Sequence, residues 1–193
     1  MGVLMGRQKS MSAFEELKAL VGPPDWEVPV LDWVGIRDEI GFEPPADYRL
    51  LVESYPPFAF DNFLDTHHPG TPGCKHLQTC ADNILEGARM LQEEFEDMVP
   101  YPLYPKEGGL YPWARTANSD NIFWRTAGHP DLWTIVVAGR SYGEGDWWEF
   151  AGSTTEFLVG VITRRVRCPA LTEDFPGPDP VISQYLRDEL GWD

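Results

Sequence analysis

Five side chains able to ligate a metal fall within fourteen positions: His67, His68, Cys74, His76 and Cys80. Zinc takes nitrogen and sulfur donors in tetrahedral sets, so this run is the first place to look for chemistry. Its spacing, Cys-x-His-x3-Cys, belongs to no closed finger or ribbon. Cys80 also falls in the first turn of an expected amphipathic helix, where a small buried thiol is ordinary. The expectation is no metal and no cofactor. Carboxylate pairs such as Asp61 with Asp65, or Glu93 with Glu94, would suit acid–base work or a hard cation. Among 31 acidic residues such pairs arise by chance, and no calcium loop accompanies them. Nucleophile elbows, phosphate-cradling glycine loops and the paired-histidine metalloprotease motif are missing. Gly143-Glu144-Gly145 is a lone Gly-x-Gly, expected in a hairpin where glycine supplies a positive φ. These residue types point away from an enzyme.

The aromatic and acidic residues say more. Of eight tryptophans, Trp113, Trp124, Trp133, Trp147 and Trp148 lie in the runs of the expected meander, and most of them are expected to pack a core. Trp147 and Trp148 are adjacent, so in a strand they face opposite ways, and one is expected to be exposed or covered only by a loop. Trp147 shares its face with Glu149, and Trp148 shares its face with Phe150. From Tyr142 to Glu156 there are four acids (Glu144, Asp146, Glu149, Glu156) and no Lys or Arg. A tryptophan among acids has the composition of a protein-binding hot spot, which makes Glu144, Asp146, Trp147 and Glu149 the candidate partner-binding residues. The acidic face of the longest helix is the alternative contact.

The elements that must position these residues are legible as periods and punctuation. Ser12-Ala13-Phe14-Glu15 reads as a capping box, followed by Phe14, Leu17, Leu20 and Val21 at helical spacing until Gly22-Pro23-Pro24. A second helix runs from Asp32 as cap to Gly41 as stop. Pro44-Pro45 opens a third, with Tyr48, Leu51, Val52 and Tyr55 as its buried stripe. Residues 58–65 read as one strand. The longest helix is expected from a Thr79 cap to about Met98, burying Ala81, Ile84, Ala88, Leu91, Phe95 and Met98 and exposing Glu86, Glu93 and Asp97. Beyond Gly108 the period changes to short aromatic and β-branched runs at 111–117, 121–126, 132–138 and 146–150, too closely spaced for parallel crossovers. They predict an antiparallel meander. Ser153 to Glu156 is a second capping box, and its helix, with Phe157, Leu158, Val161 and Ile162 buried, is expected to end at Pro169. The expected fold is α+β: a mostly antiparallel sheet packed with helices in one domain over residues 12–168. Residues 1–11 read as a flexible tail, and 169–193 as a proline-rich extension with a short helix over 181–190.

The chain has 193 residues, 15 basic against 31 acidic, for a net charge of −16. Such a chain repels phosphate backbones and anionic lipid, so neither nucleic acid nor membrane is expected as a direct partner. No apolar run approaches a membrane span. The start lacks a signal peptide's apolar core, and three cysteines do not make a secreted disulfide framework, so the expected location is the cytoplasm.

Three stretches in order carry a resemblance. Trp33-x-x-Ile36 followed by Gly41-x-x-Pro44-Pro45-x-Asp47-Tyr48-Arg49-x-Leu51 resembles the opening of SUKH-superfamily domains. Tyr111-Pro112-Trp113 through Asn118-Ser119-Asp120 to Trp124 resembles that family's tryptophan-centred hairpin. Trp133-x-x-Val136-Val137, then Trp148-x-Phe150 and Ser153-x-x-Glu156-Phe157-Leu158, resemble its close. The likeness spans about residues 31–165. Where the family has a glycine-rich turn after the third helix, this chain has Tyr55-Pro56-Pro57. The resemblance implies an α+β fold without catalytic residues. It further implies an immunity protein that neutralises a polymorphic toxin, a nuclease or other basic effector, with a scaffold or regulatory module as the alternative. Asp120 is expected to cap the hairpin turn through its carboxylate.

Overall fold

The computed structural model describes residues 13–95 and 97–191, without the side chain of Cys74. The expected tail at 1–11, its Ser12 cap, Glu96 and the last two residues lie outside the described residues. In chain order come α1 (residues 13–21), α2 (Trp33–Ile40), α3 (Ala46–Ser54), β1 (Phe58–Phe60), β2 (Leu64–Thr66) and α4 (Leu77–Glu94). There follow β3 (Leu110–Thr116), β4 (Asn121–Arg125), β5 (Thr134–Ala138), β6 (Trp147–Phe150), α5 (Thr154–Ile162) and β7 (Ile182–Gln184). All seven strands form one antiparallel sheet in the order β6-β5-β4-β3-β2-β1-β7. This is the expected α+β meander in a single domain, and the four late strands sit within two residues of their expected positions.

Four expectations need correction. The single strand over 58–65 is a hairpin, because Asp61 and Asn62 both take positive φ (53° and 51°). Two consecutive left-handed residues make the tight turn whose twist suits paired strands, and Asp and Asn tolerate that region better than most side chains.

The expected C-terminal helix over 181–190 is instead β7 followed by turns. Its place is set by an edge: β1 would otherwise leave a row of backbone groups unpaired, and Phe58–Phe60 pair with Gln184–Ile182. Asp61 fastens this segment, its carboxylate accepting from the amides of Gly177 (2.8 Å) and Val181 (2.6 Å). Leu171 and Leu190 are buried, so the chain beyond residue 168 builds sheet and core rather than trailing from them.

The long helix starts at Leu77 with His76 as cap, not at Thr79, and it stops before Phe95. Its buried stripe is Leu77, Ala81, Leu85 and Ala88, rotated from the expected one. Ile84 and Leu91 are half-buried and Phe95 is 48% exposed. The chain turns back after Glu94, and Val99 and Leu103 fill the core position that a longer helix would have given to Phe95 and Met98.

Helix α5 has the full reciprocal capping box between Ser153 and Glu156, as expected. It ends at Ile162 rather than at Pro169, where Arg164 turns the chain with a φ of 58°. Asp47, buried in α3, strengthens the same helix start. Its Oδ2 accepts from the Thr155 amide (2.7 Å) and hydroxyl (3.0 Å) across 108 positions of sequence. Burial raises the Asp47 pKa, and the Thr155 bonds pull against that rise.

The larger core contains α1, α2, α3 and α5 residues packed on Tyr111, Trp113, Trp124, Ile135 and Val137, with Leu77 and Ala81 from the start of α4. A smaller core forms where Leu85 and Ala88 of α4, with Val99 and Leu103, meet Leu110, Phe123, Val136 and Ala138.

Candidate functional site

Strand alternation puts Trp147 and Glu149 on the sheet face that carries Phe123 and Val136, the side covered by α4. Trp147 is half-buried. Its indole N–H donates to the Met98 carbonyl (3.0 Å), and its ring lies 5.2 Å from Tyr142 and 5.5 Å from Tyr101. The tryptophan is thus held between the β5–β6 loop and the segment after α4. Glu149 accepts from the Thr134 hydroxyl (2.6 Å) and Arg125 Nη1 (3.2 Å), spanning two neighbouring strands. Asp146 closes its own hairpin, accepting from the Ser141 hydroxyl and from the Gly143 amide (3.1 Å). Gly145 takes the positive φ expected of that turn, 87°. Glu144 projects at the loop tip, exposed and without a bonded partner among the described residues. Of the four candidates, three are bonded within the chain and Glu144 alone is unengaged.

What Trp147 does is join two acidic segments that the sequence presents as alternatives. Beyond the Met98 contact lie the C-terminal half of α4 and the turn after it, where Glu86, Glu93, Glu94 and Asp97 are exposed. Met90 is 64% exposed and Phe95 48% exposed among them. Sequence reasoning missed both, because it placed Phe95 in the core and left Met90 unassigned. Arg89 is the one cation between Asp82 and Asp97, and its guanidinium donates to the Tyr104 carbonyl (3.1 Å). The surface combines a carboxylate rim with flexible and aromatic apolar side chains, the composition expected of a contact patch.

The side chain of Cys74 lies outside the described residues, and the rest of the histidine and cysteine run is spread over separate roles. Among the described residues no three His, Cys, Asp or Glu side chains are grouped to hold a metal. His68 is structural: Nδ1 accepts from the Gly70 amide (3.1 Å), which leaves the proton on Nε2 to donate to the Val52 carbonyl (2.8 Å). Burial pushes its pKa down to about 4. His76 caps α4, Nδ1 accepting from the Thr79 amide (3.4 Å). His67 differs. Its ring is buried, Nδ1 has no hydrogen-bond partner, and burial with the nearby Lys75 and Arg115 charges pushes its pKa down to about 3.

His67 lines a cleft of about 430 Å³ between the first turns of α4, strands β2 and β3, and the β3–β4 turn. A bridge between His68 and His76 folds the preceding loop back and brings Lys75 beside Asp65. Lys75 Nζ lies 2.9 Å from Asp65 Oδ2 and donates to the Tyr185 hydroxyl (2.9 Å). Burial opposes the lysine charge, but the Tyr185 and Asp65 bonds outweigh it and raise the pKa, so Lys75 is a fixed cation rather than a base. The β3–β4 turn at the cleft rim is closed by Asp120, as expected. Its carboxylate accepts from the Thr116 hydroxyl (2.6 Å) and from the Arg140 amide (3.0 Å). No helix among the described residues is long and apolar enough to cross a membrane. No family model, curated protein or solved structure matches the chain.

Proposed function

We propose that this chain is a non-catalytic binding protein that engages a basic protein partner. The contact surface is the C-terminal half of α4, the turn after it and the tip of the β5–β6 loop. The observation that carries this reading is the exposure of Met90 and Phe95 among Glu86, Glu93, Glu94 and Asp97. The carboxylates supply a long-range attractive field for a cationic surface, and the two apolar side chains supply area that gains by leaving water. The net charge of −16 extends the same field around the molecule.

The resemblance to SUKH domains supports the finer reading: an immunity protein in the cytoplasm that masks the effector domain of a polymorphic toxin. A nuclease that holds phosphates needs a basic cleft, and an acidic surface complements one. The test is co-purification from the native cell, identification of the partner, and measurement of its on- and off-rates at two ionic strengths. The reading expects a basic partner whose association slows with salt. It also expects Glu93→Lys with Glu94→Lys to slow association about tenfold or more while the fold is kept. A partner of neutral or acidic surface, or rates indifferent to the two reversals, would refute it.

A further inference from the structure

At its other end α4 borders a site of opposite character. The cleft beside its first turns is lined by Lys75 and Arg115 and by a single carboxylate, Asp65, in a chain that carries twice as many acids as bases. Register places Arg115 directly across from Asp65, and the guanidinium has no hydrogen-bond or ion-pair partner among the described residues. Lys75 is anchored by Asp65 and Tyr185, which fixes the ammonium in place and leaves one of its three protons for another acceptor. His67, one residue past the end of β2 and two from Asp65, also lines the cleft, and its buried Nδ1 has no hydrogen-bond partner. A buried polar atom without a partner is costly, which singles out His67 in the cleft wall. Thr79 and Asn83 on α4 and Ser119 on the β3–β4 turn add neutral polar groups to the wall.

We propose that this cleft binds a small oxyanion, the phosphoryl or carboxylate group of a metabolite. Two of its oxygens meet Arg115 and Lys75, and the bound group lies against His67. The cavity falls in the size range of small-molecule sites and exceeds what a bare ion fills. A planar guanidinium offers paired donors to either oxyanion, and the ammonium adds a point charge. Asp65 does not cancel the site: with Lys75 it forms a neutral pair, and the Arg115 charge remains. This site stands apart from the acidic surface, and neither proposal depends on the other.

The experiment follows the imidazole nitrogens of His67 by NMR while inorganic phosphate and, separately, acetate are titrated into the full chain at constant ionic strength. The site predicts a saturable shift of the His67 signals in the millimolar range with at least one of the two anions, and the tighter one names the class. Arg115→Gln, at an exposed strand position, should weaken that binding about tenfold or more, whereas Arg89→Gln should leave it unchanged. His67 signals that stay still with both anions, or equal affinity in Arg115→Gln, would overturn the proposal.

Discussion

The two sides of the sheet are built differently. On the side of α1, α2, α3 and α5, aromatic rings meet one another in a continuous wall. Trp113 stacks on Trp124 at 5.8 Å, Tyr48 meets Trp124 edge-on at 4.7 Å, and Phe42 meets Trp133 at 5.1 Å. The Trp124 indole donates to the Thr154 hydroxyl (3.0 Å), which ties that wall to the start of α5. On the other side a single long helix covers the strands, with Leu85 and Ala88 at its centre and a polar cleft and an acidic patch at its two ends. Four helices seal one side of the sheet. The other is sealed only in its middle, and both candidate sites lie where that cover ends.

The contrast is broken most severely from the aromatic side. Trp124→Ala removes a fully buried indole and its bond to Thr154, and is expected to cost about 3–5 kcal/mol in urea unfolding. On the other side Leu85→Ala should cost about 2–5 kcal/mol, and Leu91→Ala clearly less, because Leu91 is only half-buried. Equal costs at Leu85 and Leu91 would mean that the helix phase is wrong.

The buried histidines add a pH dependence to both sides of the sheet, His67 at the cleft beside α4 and His68 bonded to Val52 of α3. Both folded-state pKa values lie below the ordinary 6.5, at about 3 for His67 and about 4 for His68. The unfolded chain therefore binds protons that the folded chain does not. Their stabilisation is complete above about pH 6.5 and is lost as pH falls toward the folded values, by about 2 kcal/mol for each histidine at pH 5. Urea midpoints at pH 7 and pH 5 should converge more closely in His67→Leu than in the natural chain. An unchanged difference would show that His67 titrates normally. The smallest effect is expected at the patch itself, where Phe95→Ala should change stability by no more than about 0.5 kcal/mol.

Periodicity carried the meander, the caps at Asp32 and Ser153, and the Asp120 turn, because each depends on residues close in sequence. It failed where a distant segment decided the outcome. Phe95 belongs to the apolar spacing of α4, yet the chain reverses beyond Glu94 and Val99 takes the core place. Val181 to Leu190 has helical composition, but the open edge of β1, more than a hundred positions away, recruits Ile182–Gln184 as a strand and the rest turns. Asp61 and Asn62 were a readable signal, since both types favour a left-handed turn, and their position inside an apolar run concealed it. The cleft was half legible. The His and Cys run drew notice to the right loop, but Arg115 and Tyr185 reach it only through sheet pairing.

The claim that the helix-poor side carries the function is tested most directly by backbone hydrogen exchange of the chain alone and bound to the partner recovered from its native cell. The account predicts that protection gained on binding is confined to the second half of α4, residues 97–101 and the β5–β6 loop, with α2, α3 and α5 unchanged. Protection concentrated on α2, α3 or α5 instead would place the partner on the aromatic side and contradict it.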